Sequence, residues 1–436
     1  MNNMWNYVKE STESVEHRAA WYFKAGFRWL IISVVIGLVC GVIGAAFSLS
    51  VAKATSLRME NPWLLYCLPI AGLLIVFMYR AFKVSGKGTN DIIDAAREGA
   101  KLPFLLIPAI FIGTVLTHLT GGSAGREGAA LQIGGDLANS VGTLFKLNKR
   151  QMGITTRIGM AAFFSALFGT PVAAAACGTM VVNVGSISYM VIFPGLIASC
   201  IAADVAGRLG AAPVKIAIKI PTYHTALAIK ICVLALLAAI VSVFFIKMLY
   251  LARYLYGRYV KNPYLRVLVG AILIIALTTI LGTRDYNGAG MDIIVKACQG
   301  QVKPLAFFWK IIFTAITLQA GFKGGEVVPS FFIGATFGCL VGDLLGIPAG
   351  FAAACGMVGV FGAATNSFLA PTFLAMEVFG GQGLAYFALT CIICYIFSGY
   401  SGLYSAQRII YSKINSERID ASPNNYHTGD FEKKSQ

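Results

Sequence analysis

Long apolar runs separated by short polar interruptions dominate the chain. Leu30 to Val51, Trp63 to Met78, Ala226 to Phe245, Val267 to Leu281 and Leu384 to Phe397 each approach the ~20 residues a membrane-spanning helix needs. Other apolar segments are short and broken by glycine and polar residues, notably around 85–95, 121–135 and 320–335. The pattern predicts an all-α polytopic membrane protein in which some helices stop partway across.

Composition agrees with that pattern. Of 436 residues, 57% are hydrophobic and 12% charged, against roughly 25% charged in a soluble domain, and the mean hydropathy is +0.73. The net charge of +16 does not point to nucleic acid, because the basic residues flank apolar spans instead of forming one solvated domain. Arg80, Lys83, Lys87, Arg97 and Lys101 form one cluster, Arg253, Arg258, Lys261 and Arg266 a second, and Arg408, Lys413 and Arg418 a third. By the excess of Lys and Arg on inner loops, these regions are expected to be cytoplasmic. A smaller group, Arg208, Lys215 and Lys219, dilutes the contrast.

Cysteine and histidine add no chemistry. Cys40, Cys67, Cys200, Cys232, Cys391 and Cys394 fall within apolar spans, where the thiol acts as a small hydrophobe. The C-x-x-C at Cys391 and Cys394 reads as packing, not redox chemistry. His17, His118, His224 and His427 lack ligand spacing, so no metal and no cofactor is expected. The predicted layout is an N-terminal segment over 1–27, a first transmembrane repeat over 28–206 and a second over 222–400. A C-terminal pore helix over 401–415 and a polar, loosely ordered tail over 416–436 complete it.

The two halves repeat. Thr114, Thr117, Gly121, Gly125, Ile133 and Gly134 recur 200 positions later as Thr314, Thr317, Gly321, Gly325, Ile333 and Gly334. Asn61-Pro62-Trp63-Leu64 is echoed by Asn262-Pro263-Tyr264-Leu265, and Gly88 to Ile93 loosely by Gly290 to Ile294. Matching glycine-broken helices in tandem halves point to a transporter with its site at the repeat interface.

The interruptions carry the chemistry. An anion crossing hydrocarbon must exchange water for other donors, and backbone N–H groups at helix starts supply partial positive charge without a neutralising side chain. Such starts are expected after Gly86-Lys87-Gly88-Thr89-Asn90, after Gly121 to Gly128, and after Gly321 to Pro329, with Pro329 in a first turn where its missing N–H costs nothing. Glu127 opens the second of these, between Arg126 and Gly128; an ionisable residue at membrane depth is a functional candidate, and a carboxylate at a helix start is a tethered competitor for a mobile anion. The segment Ser398 to Ser405 places Tyr404 where its hydroxyl can donate. Asp91 is expected to stabilise its helix start; Glu377, flanked by apolar residues, is assigned no role.

These motifs resemble the CLC family of anion transporters over roughly residues 28–415. Gly125-Arg126-Glu127-Gly128 with Gln132-Ile133-Gly134 is similar to the family's second motif. Gly325 to Pro329 is similar to the third, Gly86 to Asn90 sits where the first belongs, and Leu403 to Ala406 resembles the helix bearing the pore tyrosine. The resemblance implies a CLC-type fold with two inverted-topology repeats, broken helices meeting at a central anion site, a homodimer with one pore per subunit in the lipid bilayer, and cytoplasmic termini. By residue it implies a gating and proton-carrying Glu127 and an anion site drawn from Lys87, Gly88, Thr89, Asn90, Gly125, Arg126, Gly128, Val327, Val328 and Tyr404, with Glu326 as accessory. Gly-Lys-Gly-Thr-Asn replaces the chloride branch's Gly-Ser-Gly-Ile-Pro, Ala129 its proline, and Glu-Val-Val-Pro its Ile-Phe-Ala-Pro. Those departures are similar to the fluoride/proton-exchanging branch, although Val328 stands where that branch has threonine. The position of an internal proton glutamate falls on Met180 and Val181, which do not titrate.

The expectation is a halide transporter, and not an enzyme: an antiporter exporting fluoride against protons, from a prokaryotic plasma membrane. The alternatives are a chloride/proton antiporter and a passive chloride channel of the same fold. An intramembrane serine protease using Ser123 and His118 needs a base within hydrogen-bond reach of the serine and leaves the duplicated glycines unexplained.

Overall fold

The computed structural model describes the backbone of residues 2–423 and the side chains of residues 22–423. Eight helices make up the first half: α1 Asn2–Glu60, α2 Leu68–Ala81, α3 Thr89–Glu98, α4 Leu106–Leu119, α5 Glu127–Leu144, α6 Lys149–Phe168, α7 Pro171–Met180 and α8 Tyr189–Arg208. Eight make up the second: α9 Thr225–Tyr259, α10 Pro263–Leu281, α11 Met291–Cys298, α12 Ala306–Ala320, α13 Val327–Leu345, α14 Ala349–Thr365, α15 Leu369–Phe379 and α16 Leu384–Phe397. The halves therefore match element by element, as the 200-residue offset predicts. Among the described residues six helical segments are long and apolar enough to cross a membrane, and their exposed faces carry large apolar side chains such as Leu74, Phe77, Ile240 and Ile280. No break in α1 marks the boundary expected at residue 27.

Small residues set the inner packing. A Cβ on Gly134 would lie 2.3 Å from the Gly159 carbonyl oxygen, so α5 and α6 touch backbone to backbone. The second half repeats the device, a Cβ on Gly334 falling 2.2 Å from the Gly356 carbonyl oxygen between α13 and α14. Van der Waals contact through small residues is the main adhesive between helices in lipid, where apolar burial gives no net drive. The cysteines follow the same logic: all ten are free thiols, and Cys391 and Cys394 are fully buried.

The C-terminal segment departs from expectation. Residues 401–415 contain no helix; a turn leads into strand β2, Arg408–Tyr411, which pairs in parallel with β1, Asn183–Val184, and antiparallel with β3, Arg418–Ala421. Tertiary hydrogen bonds replace helical ones. The Leu403 amide donates to the Ala364 carbonyl, the Ala406 amide to Asn90 Oδ1, and Gln407 Nε2 to the Val181 and Thr365 carbonyls. Glycine and serine weaken the local helix, and β-branched Ile409 and Ile410 suit a strand. The tail expected to be loose over 416–436 forms β3 at its start, and residues 424–436 lie outside the described residues.

Members of the three basic clusters lie near one another. Arg80 lies over the Tyr264 ring at 4.8 Å, Arg97 Nη1 donates to the Ala406 carbonyl at 2.7 Å, and Lys87 and Arg253 line one cavity.

Candidate functional site

The motif loops of the two halves pair with each other. Gly125 and Gly325 exchange both backbone hydrogen bonds, each N–H donating to the other's carbonyl at 2.8 Å. A Cβ on Gly325 would lie 2.2 Å from the Gly128 amide nitrogen, so this junction admits only glycine. Threonines one turn upstream repeat the exchange: Thr317 Oγ1 accepts from the Ser123 amide at 3.1 Å and Thr117 Oγ1 from the Lys323 amide at 3.2 Å. The helix starts of α5 and α13 are thereby brought together at a local two-fold.

Glu127, the first residue of α5, sits at that junction, fully buried. One of its oxygens, Oε2, accepts from the Val328 amide at 3.3 Å, a free N–H in the first turn of α13. Among the described residues no hydrogen bond reaches Oε1, which lies 3.9 Å from Arg126 Nε. Arg126 is engaged elsewhere: Nη1 donates to Ser48 Oγ at 2.9 Å and Nη2 to the Leu167 carbonyl at 3.2 Å. The carboxyl thus occupies the amide seat of the opposite half without a close ion pair.

Beside the junction lies a cavity of about 200 Å³. Lys87, Gly88, Thr89, Asn90, Glu326 and Tyr404, all expected at the site, line it. The sequence-expected Gly125, Arg126, Gly128, Val327 and Val328 do not; they build the junction and its flank. Val327 and Tyr404 border a second, smaller, apolar cavity of about 10 Å³ together with Leu131 and Phe361. Tyr404 lines both.

Several wall residues have positioning duties. Asp91 accepts from the Gly88 amide at 2.9 Å and pairs with Lys87 at 2.8 Å, which fixes the start of α3. Asn90 holds the Tyr404 turn through the Ala406 amide at 3.1 Å, and Tyr250 Oη donates to the Gly402 carbonyl at 2.9 Å. Thr89 Oγ1 accepts from Gln132 Nε2 at 2.9 Å. Glu326 forms no ion pair with Lys323, whose ammonium lies over the Tyr79 ring at 4.1 Å, or with Lys87, which pairs with Asp91.

Sequence reading missed Tyr250, Arg253, Gln132 and Gln319 as wall residues. Arg253 belonged to a recognised basic cluster, but nothing local ties α9 to α3. Glu377 proves to be a cap. Its oxygens accept from the Val172 and Ala173 amides at 3.0 and 2.9 Å, closing the start of α7 from α15. Ser123 Oγ lies 3.1 Å from Thr314 Oγ1, while His118 Nδ1 faces the Thr114 carbonyl at 2.9 Å. The two have separate partners, against a serine–histidine pair.

Comparison with known proteins agrees. Residues 71–399 match the voltage gated chloride channel family. A chloride/fluoride channel protein of Pseudomonas syringae pv. tomato is 35% identical over 402 residues, covering 88% of this chain and 87% of that one. The crystal structure of a CLC-type fluoride/proton antiporter superposes with a TM-score of 0.85 at 32% identity, covering 88% and 98% of the two chains. A slow cyanobacterial Cl⁻/H⁺ antiporter shares the fold, with a TM-score of 0.73 at 19% identity over 85% and 94%. The chain is an integral multi-pass membrane protein of the voltage gated chloride channel, or CLC, family, whose members are transporters and channels and not enzymes.

Proposed function

We propose that the protein exports fluoride in exchange for protons across a prokaryotic plasma membrane, with Glu127 alternating between the anion's seat and proton uptake. The observation that carries this reading is the hydrogen bond from the Val328 amide to Glu127 Oε2. A helix-start N–H of one half is occupied by a carboxylate of the other, and an anion entering from the cavity competes for the same donor. Protonation of Glu127 weakens its claim on that N–H and frees the seat.

The wall chemistry suits a small, strongly hydrated halide. Fluoride gives up its water only for strong donors, and the cavity is lined by Lys87, Lys323 and Arg253, by Thr89 and Tyr404, which carry hydroxyls, and by Gln132 and Gln319, which carry amides. The two relatives whose names include fluoride support the same substrate. Glu326, on the cavity wall, is the accessory acid. The junction at Gly125 and Gly325 supports inverted halves around the site, and the proximity of the three basic clusters supports cytoplasmic termini. Assembly as a homodimer with one pore per subunit completes the reading.

The test is efflux from proteoliposomes loaded with fluoride or chloride while internal pH is followed. Faster fluoride efflux with opposite, fluoride-driven proton movement is expected. Equal or faster chloride efflux with proton movement makes the protein a chloride exchanger. Anion flux that leaves pH untouched and a reversal potential set by the anion gradient alone makes it a channel.

A further inference from the structure

Helix α5 is buried along most of its length, yet it carries a polar stripe. Gln132, Asp136, Asn139 and Thr143 are spaced four, three and four residues apart, which places them on one helical face. Gln132 lines the cavity at one end, and Thr143 is exposed at the other. Between them Asn139 is held, donating to the Ala100 carbonyl at 2.8 Å and accepting from the Leu102 amide at 3.2 Å. Asp136 is not held. It has no exposed surface, and no described residue donates to either carboxylate oxygen.

A buried carboxyl without donors is costly, and such a group calls for an explanation. The charged groups on the helices packed against α5 do not supply one. On α3, Asp91 pairs with Lys87, and Asp94 with Arg97. Arg157 on α6 donates to the Ala96 carbonyl at 3.4 Å, and His118 on α4 faces the Thr114 carbonyl. Arg58 on α1 lies against Gly288, and Asp343 sits near the far end of α13. The fold does not require an acid either: the matching position in the second half is Thr336, which satisfies itself by donating to the Phe332 carbonyl at 2.7 Å.

We infer that Asp136 is a station of a proton route along α5, which links Glu127, by way of the inner end of the cavity at Gln132, to the aqueous face beside Thr143. The inference rests on the exchange reading above. Lys87, Arg253 and Lys323 make the cavity attractive to anions and repellent to protons, so a proton needs another way out. In the export cycle a proton released by Glu127 passes to water at Gln132, adds to a carboxylate oxygen of Asp136, and leaves to the aqueous face beside Thr143. Asp136 then returns to its ionised form. Asn139 and Gln132 orient water along the stripe and are not themselves protonated.

The experiment compares wild type, Asp136→Asn and Asp136→Thr in fluoride-loaded proteoliposomes, recording fluoride efflux and proton movement together. Asn keeps the shape of Asp, and Thr copies the other half, so a folded protein is expected from at least one. Fluoride efflux should persist while fluoride-driven proton movement falls by about a hundredfold, the low end of what a positioned proton-transfer group supplies. An unchanged proton-to-fluoride ratio in either variant overturns the relay. Equal loss of both fluxes in protein that elutes as wild type also overturns it, because it marks a structural residue. Failure of the exchange reading looks different: wild type itself then moves no protons with fluoride, and Asp136 has nothing to relay.

Discussion

The loops at 121–128 and 321–328 share a backbone and differ in almost every charged side chain. Gly125 and Gly325 bond to each other reciprocally, and Thr117 and Thr317 each hold the other half's amide. Around that common frame Arg126 faces Glu326 in register, Glu127 faces Val327, and Ser123 faces Lys323. The same holds deeper in the helices, where Ile110 lines the cavity and its counterpart Lys310 is fully buried, donating to the Tyr286 and Gly288 carbonyls at 3.2 and 2.6 Å. Duplication thus supplied two helix starts aimed at one point, and substitution made their sides unequal. A symmetric site binds an anion; an asymmetric one can also exchange it against a proton.

The strongest way to break the comparison is at its axis. Gly325→Ala puts a methyl 2.2 Å from the Gly128 amide nitrogen, where only backbone can yield, and is expected to cost about 3 kcal/mol or more. Loss of monodisperse protein, or a large fall in the thermal unfolding midpoint in detergent, is the predicted outcome; wild-type stability would show that the close junction is not needed. Lys310→Ile restores the first half's residue but strips two buried carbonyls of their donor, for a cost of about 2 kcal/mol. An unfolding midpoint at or above wild type would mean that the ammonium is a burden the fold tolerates.

Two milder changes sharpen the picture. Thr117→Val and Thr317→Val each orphan one amide across the junction, and each should cost about 1 kcal/mol. Near-equal shifts in unfolding midpoint are predicted, and a cost confined to one of them would deny the equivalence of the two hydrogen bonds. The smallest effect belongs to Lys87→Ala, at the rim, where the ammonium is half exposed and paired with Asp91. Fluoride efflux should slow by about twofold at low ionic strength and match wild type at high salt, since exposed charge is screened.

The sequence spoke plainly wherever function was local. A glycine-flanked Arg-Glu pair in an apolar run, followed by helix-compatible residues, located the start of α5, and the 200-residue offset located its partner at α13. Long-range partners were illegible. Nothing near Asn90 announces that its side chain holds the Ala406 amide, and nothing near Glu377 announces that it caps α7. The segment after Ser398 misled because glycine and serine precede helices and turns alike. Its fate as strand β2 was decided by Val182, Ala364 and Asn90, residues far away in the chain. Asp136 lay in plain view on an amphipathic-looking face, and only its burial without a donor distinguished it.

The central claim is that Glu127 shares one seat with the transported anion and carries the exchanged proton. Glu127→Gln keeps the size of the side chain and its hydrogen bond to the Val328 amide but removes the titrating group. Proteoliposomes holding this variant, given a fluoride gradient and followed by a pH-sensitive dye, should show no fluoride-driven proton movement while wild type shows it clearly. Proton movement of wild-type size in the variant would contradict the claim.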